Sequence, residues 1–140
     1  SVIDMRTSTH IIQILEKNEA AVILSSEQRL EGIIEKLLVQ QWQQQGLTVS
    51  DSANNNVIVT IEKAIISVEQ ESVTYSTQSE IIIKVSIDNS KQTLTSNFKN
   101  RAHSEGALNA DVAVLEREFN QHLSTLIKQI LTSKDIKTFL

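Results

Sequence analysis

The sequence predicts an α+β fold, a two-layer sandwich of a mainly antiparallel sheet with two long helices on one face. Three observations predict it. The segments Val57 to Glu69, Val73 to Ile87 and Thr93 to His103 alternate apolar and polar residues with a period of two. Two further segments, from Ser26 to Gly46 and from Asn109 to Leu131, repeat apolar residues at the 3,4 spacing of a helix. No composition shift, internal repeat or low-complexity linker divides them, so residues 1–140 are expected to form one domain.

The elements follow in order. "VIDMR", residues 2 to 6, reads as a short strand, and "HIIQILEK" followed by "NEAAVILSS" reads as a hairpin turning near Asn18. Ser25 with Gln28 three residues on has the form of a capping box, which places the first helix start near Ser26. Leu30, Ile33, Ile34, Leu37, Leu38 and Trp42 then make its apolar face, and Glu31, Glu35, Lys36, Gln40, Gln43 and Gln44 its solvated one. Gly46 can take the left-handed conformation that closes a helix, with Leu47 folding back on the last turn.

After the polar loop "SDSANNN" the three long strands form a meander, joined by "EQES" and "DNSK", both tight-turn compositions. Their phase sends Thr74, Ser76, Gln78, Glu80, Lys84 and Ser86 to one face, with Thr93, Thr95, Asn97 and Lys99, so that face should be wet. "RAHSEGA" reads as strand end plus connection, with Gly106 permitting the turn into the second helix. That helix carries Val112, Leu115, Phe119, Leu123, Leu126 and Ile130 as its apolar stripe. Ser133, with Asp135, can cap a last short turn whose Ile136 and Phe139 tuck against the body.

Composition excludes several functions. A chain of 140 residues buries about two-thirds of its unfolded surface, enough for a core without metal or disulfide support. A formal charge of −4, with Lys and Arg scattered singly, removes the electrostatic footprint of a nucleic-acid binder. With no cysteine there is no thiolate, redox or disulfide chemistry. No stretch approaches the roughly 18 apolar residues of a membrane helix, and Ser1 is not followed by an export signal, although a removed signal leaves the same appearance.

No residue constellation points to catalysis, a cofactor or a metal. Gly32, Gly46 and Gly106 stand singly, whereas a phosphate-cradling loop needs clustered glycines. His10, His103 and His122 belong to three different elements, unlike a metal-ligating pair spaced along one face. His122 lies beside the apolar stripe, where a hydrogen-bonded, partly buried histidine is the expectation. His103 and Ser104 are adjacent on a strand, so they point to opposite faces and do not meet as base and nucleophile. Glu69 and Glu71 flank a surface turn and Glu116 and Glu118 lie outside a helix, where nothing separates the pKa values of a carboxylate pair.

"DMRT" at Asp4 to Thr7, "SSEQRL" leading into "IIEKLLVQQWQQQGLTV", "VTYSTQSEIIIKV", and "EGALNA" before a long helix ending in "DIKTFL" occur here in one order. Together they resemble the YajG family of Gram-negative outer-membrane lipoproteins over nearly the whole chain. The resemblance implies a precursor with a lipoprotein signal, an acylated cysteine and a domain tethered on the periplasmic side of the outer membrane. This sequence has no cysteine, so the anchor is expected outside it, and the chain is expected to begin inside its first strand. The resemblance brings no activity and no catalytic residue. Asp4 and Arg6 match its D-x-R motif; two residues apart on a strand they share a face, and an ion pair anchoring that strand is the expectation, with ligand binding the alternative.

Two functions fit these features. One is a non-enzymatic envelope module that binds another envelope protein or a second copy, through a strand edge, the Ser/Thr-rich sheet face or the glutamine side of the first helix. The other is a binder of a small ligand or glycan, which one Trp, one Tyr and three Phe leave poorly supplied with stacking surfaces.

Overall fold

The computed structural model describes residues 1–50 and 54–140, so part of the "SDSANNN" loop lies outside the described residues. It is a mixed α+β fold, an open six-stranded sheet with two long helices and a short C-terminal one. Three strands of equal length form the meander: β4 (Asn56–Gln70), β5 (Thr74–Asp88) and β6 (Thr93–Ala107). The first turn closes with the Glu71 amide donating to the Thr74 carbonyl at 2.8 Å. In the second, Asn89 Oδ1 accepts from the amides of Lys91 and Gln92 at 3.0 and 2.8 Å, and Ser90 takes φ 74°. Asn and Ser supply this turn chemistry because a short polar side chain can replace backbone partners.

Before the meander come β1 (Val2–Asp4), β2 (His10–Glu16) and β3 (Val22–Ser25). The hairpin of β2 and β3 forms as expected, with Asn18 left-handed at φ 62°. The sheet order is β3-β2-β4-β5-β6, and β1 lies beside β4 as well. β1 and β2 share one side of β4, Val2–Asp4 opposite Val59–Ile61 and Ile12–Glu16 opposite Ile66–Gln70, and both run parallel to it. A bulge between Ile61 and Lys63 inserts Glu62 into β4 and shifts the phase of its buried side chains. Val59 and Ile61 are buried before it, Ala64, Ile66 and Val68 after it.

The first helix, α1 (Leu30–Gln44), starts later than the capping box suggests. Ser25 still belongs to β3, paired with His10, and the Ser26 hydroxyl donates to the Gln28 carbonyl. Arg29 therefore stands at the N-cap with no side-chain cap bond. The buried side is also narrower than expected: Leu30, Ile34, Leu38 and Trp42 are buried at strict i, i+4 spacing, while Leu37 is 36% exposed. The other end forms as read. Leu47 donates to the Trp42 carbonyl at 3.0 Å and Gly46, at φ 91°, to Gln43 at 3.1 Å, a Schellman closure.

The second helix, α2 (Val112–Leu131), is capped by Asp111, whose Oδ1 accepts from the Ala113 amide at 2.9 Å. Leu115, Phe119, Leu123, Leu126 and Ile130 are buried, whereas Val112, at the first turn, is exposed. Ser133 caps α3 (Lys134–Phe139), which buries Ile136. The buried residues of all three helices join those of β2, β4 and β5 in one core. Each fully buried Leu, Ile or Phe in it contributes about 1.5–3 kcal/mol.

Candidate interaction surface

The strand order leaves β6 at one end of the sheet, and among the described residues nothing pairs with its outer side. Antiparallel neighbours alternate between pairs that exchange hydrogen bonds and pairs that do not. At one end of the β5–β6 ladder the Asn89 amide bonds to the Gln92 carbonyl at 3.1 Å; at the other, Leu108 bonds to Val73 at 2.7 Å. Both fix the same phase in the β5–β6 register. The even-numbered residues of β6 thus bond to β5, and the odd-numbered ones, from Thr93 to Ala107, turn their N–H and C=O groups to the free edge. This edge is as long as the strand, 15 residues.

The same odd-numbered residues carry their side chains on the wet face, where Thr93, Thr95, Asn97, Lys99, Arg101, His103 and Glu105 are all exposed. The even-numbered ones face the core side and are half-buried. The strand runs four residues beyond His103, so "HSEG" is strand and not connection. Gly106 does not make the turn. It lies opposite Tyr75, and a Cβ there would run into the Tyr75 ring. The turn falls at Leu108, with φ 64°, and Gln70 holds it: its Nε2 donates to the Leu108 carbonyl at 2.9 Å and its Oε1 accepts from the Ala110 amide at 3.0 Å.

Charges on the wet face pair across strands. Glu80 sits between Lys63, at 2.6 Å, and Arg101, and hydrogen bonding first to Lys63 and then to Arg101 holds its pKa below the usual carboxylate range against the opposing effect of burial. His103 lies 3.6 Å from Glu105. Lys99, opposite Ile82, has no ion-pair partner among the described residues. A shallow groove crosses this face between β4 and β6, with Lys63, Ser67, Gln78 and Arg101 along it.

Asp4 and Arg6 come together, at the end of β1. Arg6 donates to both carboxylate oxygens, Nη2 at 2.7 Å and Nε at 2.9 and 3.1 Å, and its side chain is only 7% exposed. The Arg6 hydrogen bond is the main cause that lowers the Asp4 pKa, with burial opposing it. The pair closes on itself rather than on a neighbouring element. The three histidines stay apart, on β2, β6 and α2. His10 bonds the Ser8 hydroxyl. His122 is half-buried beside the α2 stripe. Ser104 points away from His103 and bonds Thr77 on the core side. Among the described residues no group of three or more His, Asp or Glu side chains is placed to hold a metal ion, and no helix is long and apolar enough to cross a membrane.

The glutamines of α1 form its exposed side, as read, with Gln40, Gln43 and Gln44 in solvent. The free β6 edge escapes sequence reasoning, because alternation marks a strand and its faces but not its place in the sheet. Only the two turns, "EQES" and "DNSK", bear on it, by making β6 the last strand of the meander.

Fold and surface together describe a small α+β domain with an open sheet edge and a polar sheet face. The chain belongs to a family of uncharacterised lipoproteins, which matches it over residues 1–140. Among solved structures it is similar to the rare lipoprotein B from Shewanella oneidensis, at 12% identity and TM-score 0.47, covering 92% of this chain and 98% of that one. It is similar also to an uncharacterised protein, at 10% identity and TM-score 0.43, covering 91% and 89%. No curated protein matches the chain.

Proposed function

We propose that this chain is the folded domain of a YajG-type lipoprotein, held by an acyl anchor on the periplasmic side of the outer membrane. There it works as a non-enzymatic protein-interaction module. Membership of a lipoprotein family supports the anchored location. The observation that carries the interaction role is the free edge of β6, a row of backbone donors and acceptors on a 15-residue strand open to solvent. In this reading α1 and α2 cover the same sheet face, a placement supported by the buried residues of both helices sharing one core with those of β4 and β5. The polar face is then left beside the edge for a partner's side chains.

The test is affinity capture of the full-length, acylated protein from crosslinked envelopes. It is compared with a version lacking the acylated cysteine and with Asn97→Pro. The Asn97 amide faces outward, so proline there blocks strand addition and leaves the β5–β6 bonds intact. The reading expects a specific protein recovered with the anchored form and lost with Asn97→Pro. Equal recovery with Asn97→Pro, or bound glycan or lipid in place of protein, contradicts it.

A further inference from the structure

The β6 edge has a charge pattern that favours one way of pairing with itself. A two-fold axis is the commonest symmetry of a homodimer and joins identical patches. Two antiparallel copies of β6 must place odd-numbered residues opposite odd-numbered ones to exchange edge hydrogen bonds. With the axis at Asn100 the strands overlap fully, but Lys99 faces Arg101 twice. With the axis at Lys99 or Arg101 that residue faces its own copy. Like charges directly opposite destabilise a sheet.

Axes at Phe98 and at Ala102 both avoid this conflict, but with the axis at Phe98 Lys99 faces only Asn97 and Arg101 only Thr95. With the axis at Ala102 Lys99 faces Glu105 of the other copy, twice by symmetry, Arg101 faces His103, and residues 97–107 overlap. Lys99 is the exposed cation of this strand with no ion-pair partner of its own among the described residues, whereas Arg101 is bound to Glu80. We propose that β6 pairs antiparallel with β6 of a second copy, about an axis at Ala102, joining two sheets through reciprocal Lys99–Glu105 pairs. The inference rests on the β6 edge as the working surface and adds its occupant.

The register has a direct test, because the chain contains no cysteine. Ala102 bonds to β5, so across the axis the two Ala102 residues form a non-hydrogen-bonded pair with Cα atoms about 4.5 Å apart. That separation suits a disulfide. Under mild oxidation, Ala102→Cys should give a covalent dimer. Asn100→Cys and Ser104→Cys should each stay monomeric alone and crosslink when mixed, because residue 100 faces residue 104.

Sedimentation adds a second measurement on exposed side chains that the fold does not need. Lys99→Glu turns two attractive pairs repulsive and should weaken dimerisation by about tenfold. Lys99→Glu with Glu105→Lys should restore it. A monomer at all concentrations, equal crosslinking from Asn100→Cys alone, or failure of the charge swap overturns the self-pairing. If these fail while capture of another envelope protein remains sensitive to Asn97→Pro, the occupant is wrong and the interaction role stands. If capture is insensitive to Asn97→Pro, the interaction role fails, and the Ala102→Cys result still decides the pairing.

Discussion

Proline placed at neighbouring positions of β6 should have opposite consequences. Ser96 is an even-numbered residue paired with Val85, so its amide is spent on the central strand. Ser96→Pro removes that donor and leaves the Val85 carbonyl without a partner at a residue 1% exposed. An unsatisfied buried acceptor costs about 1–3 kcal/mol, a large part of a typical 5–15 kcal/mol. Asn97 is half a period away. Its amide meets only water at the free edge, and proline there should cost less than about 1 kcal/mol. With a urea slope of about 2 kcal/mol/M, a 2 kcal/mol loss moves the midpoint by about 1 M. Urea titration of the two variants by circular dichroism therefore separates them. Equal losses, or a larger loss for Asn97→Pro, would refute the assignment of outward-facing amides on which the free edge depends.

Other outcomes follow from the packing and the ion pairs. Trp42 is 8% exposed at the end of the α1 stripe, and Trp42→Ala should cost about 3–5 kcal/mol in the same titration; under 1 kcal/mol would mean that it packs nothing. Gly106→Ala forces the Tyr75 ring aside and should cost about 1–3 kcal/mol, a loss that shrinks in a Tyr75→Ala background if the clash is its cause. Asp4 and Glu80 both have lowered pKa values in the folded chain. Each therefore adds stability that is present above the unfolded carboxyl pKa of about 4 and is lost as pH falls through the folded value. Unfolding measured from neutral to acid pH should show that loss, and Asp4→Asn or Glu80→Gln should flatten the curve; an unchanged curve would remove the ion pairs from the account.

Much of the fold is legible in the sequence because its signals are periodic. The meander shows in the alternation of "YSTQSEIIIKVSI", and α2 in the spacing of Leu115, Phe119, Leu123 and Leu126. The Gly46 closure is legible because few residues take φ 91° without strain. What escapes depends on distant partners. The parallel pairing of β1 and β2 with β4 leaves no local mark. The serine-and-glutamine signature before α1 is misleading because strand pairing with His10 competes for Ser25 and wins. Gly106 reads as a turn because its real neighbour, Tyr75, is 31 positions away in the chain. The surface is half legible: the polar side chains of β6 announce a wet face, but its open edge exists only once the sheet order is known.

The most direct test of the interaction role is site-specific photo-crosslinking in intact envelopes. A crosslinking residue is placed on the acylated protein at His103, on the β6 edge, and separately at Gln43, on the exposed side of α1. A discrete protein adduct, either a second copy or another envelope protein, is expected from position 103 and none from position 43. Adducts from position 43 alone would move the working surface to the helix and contradict the central claim.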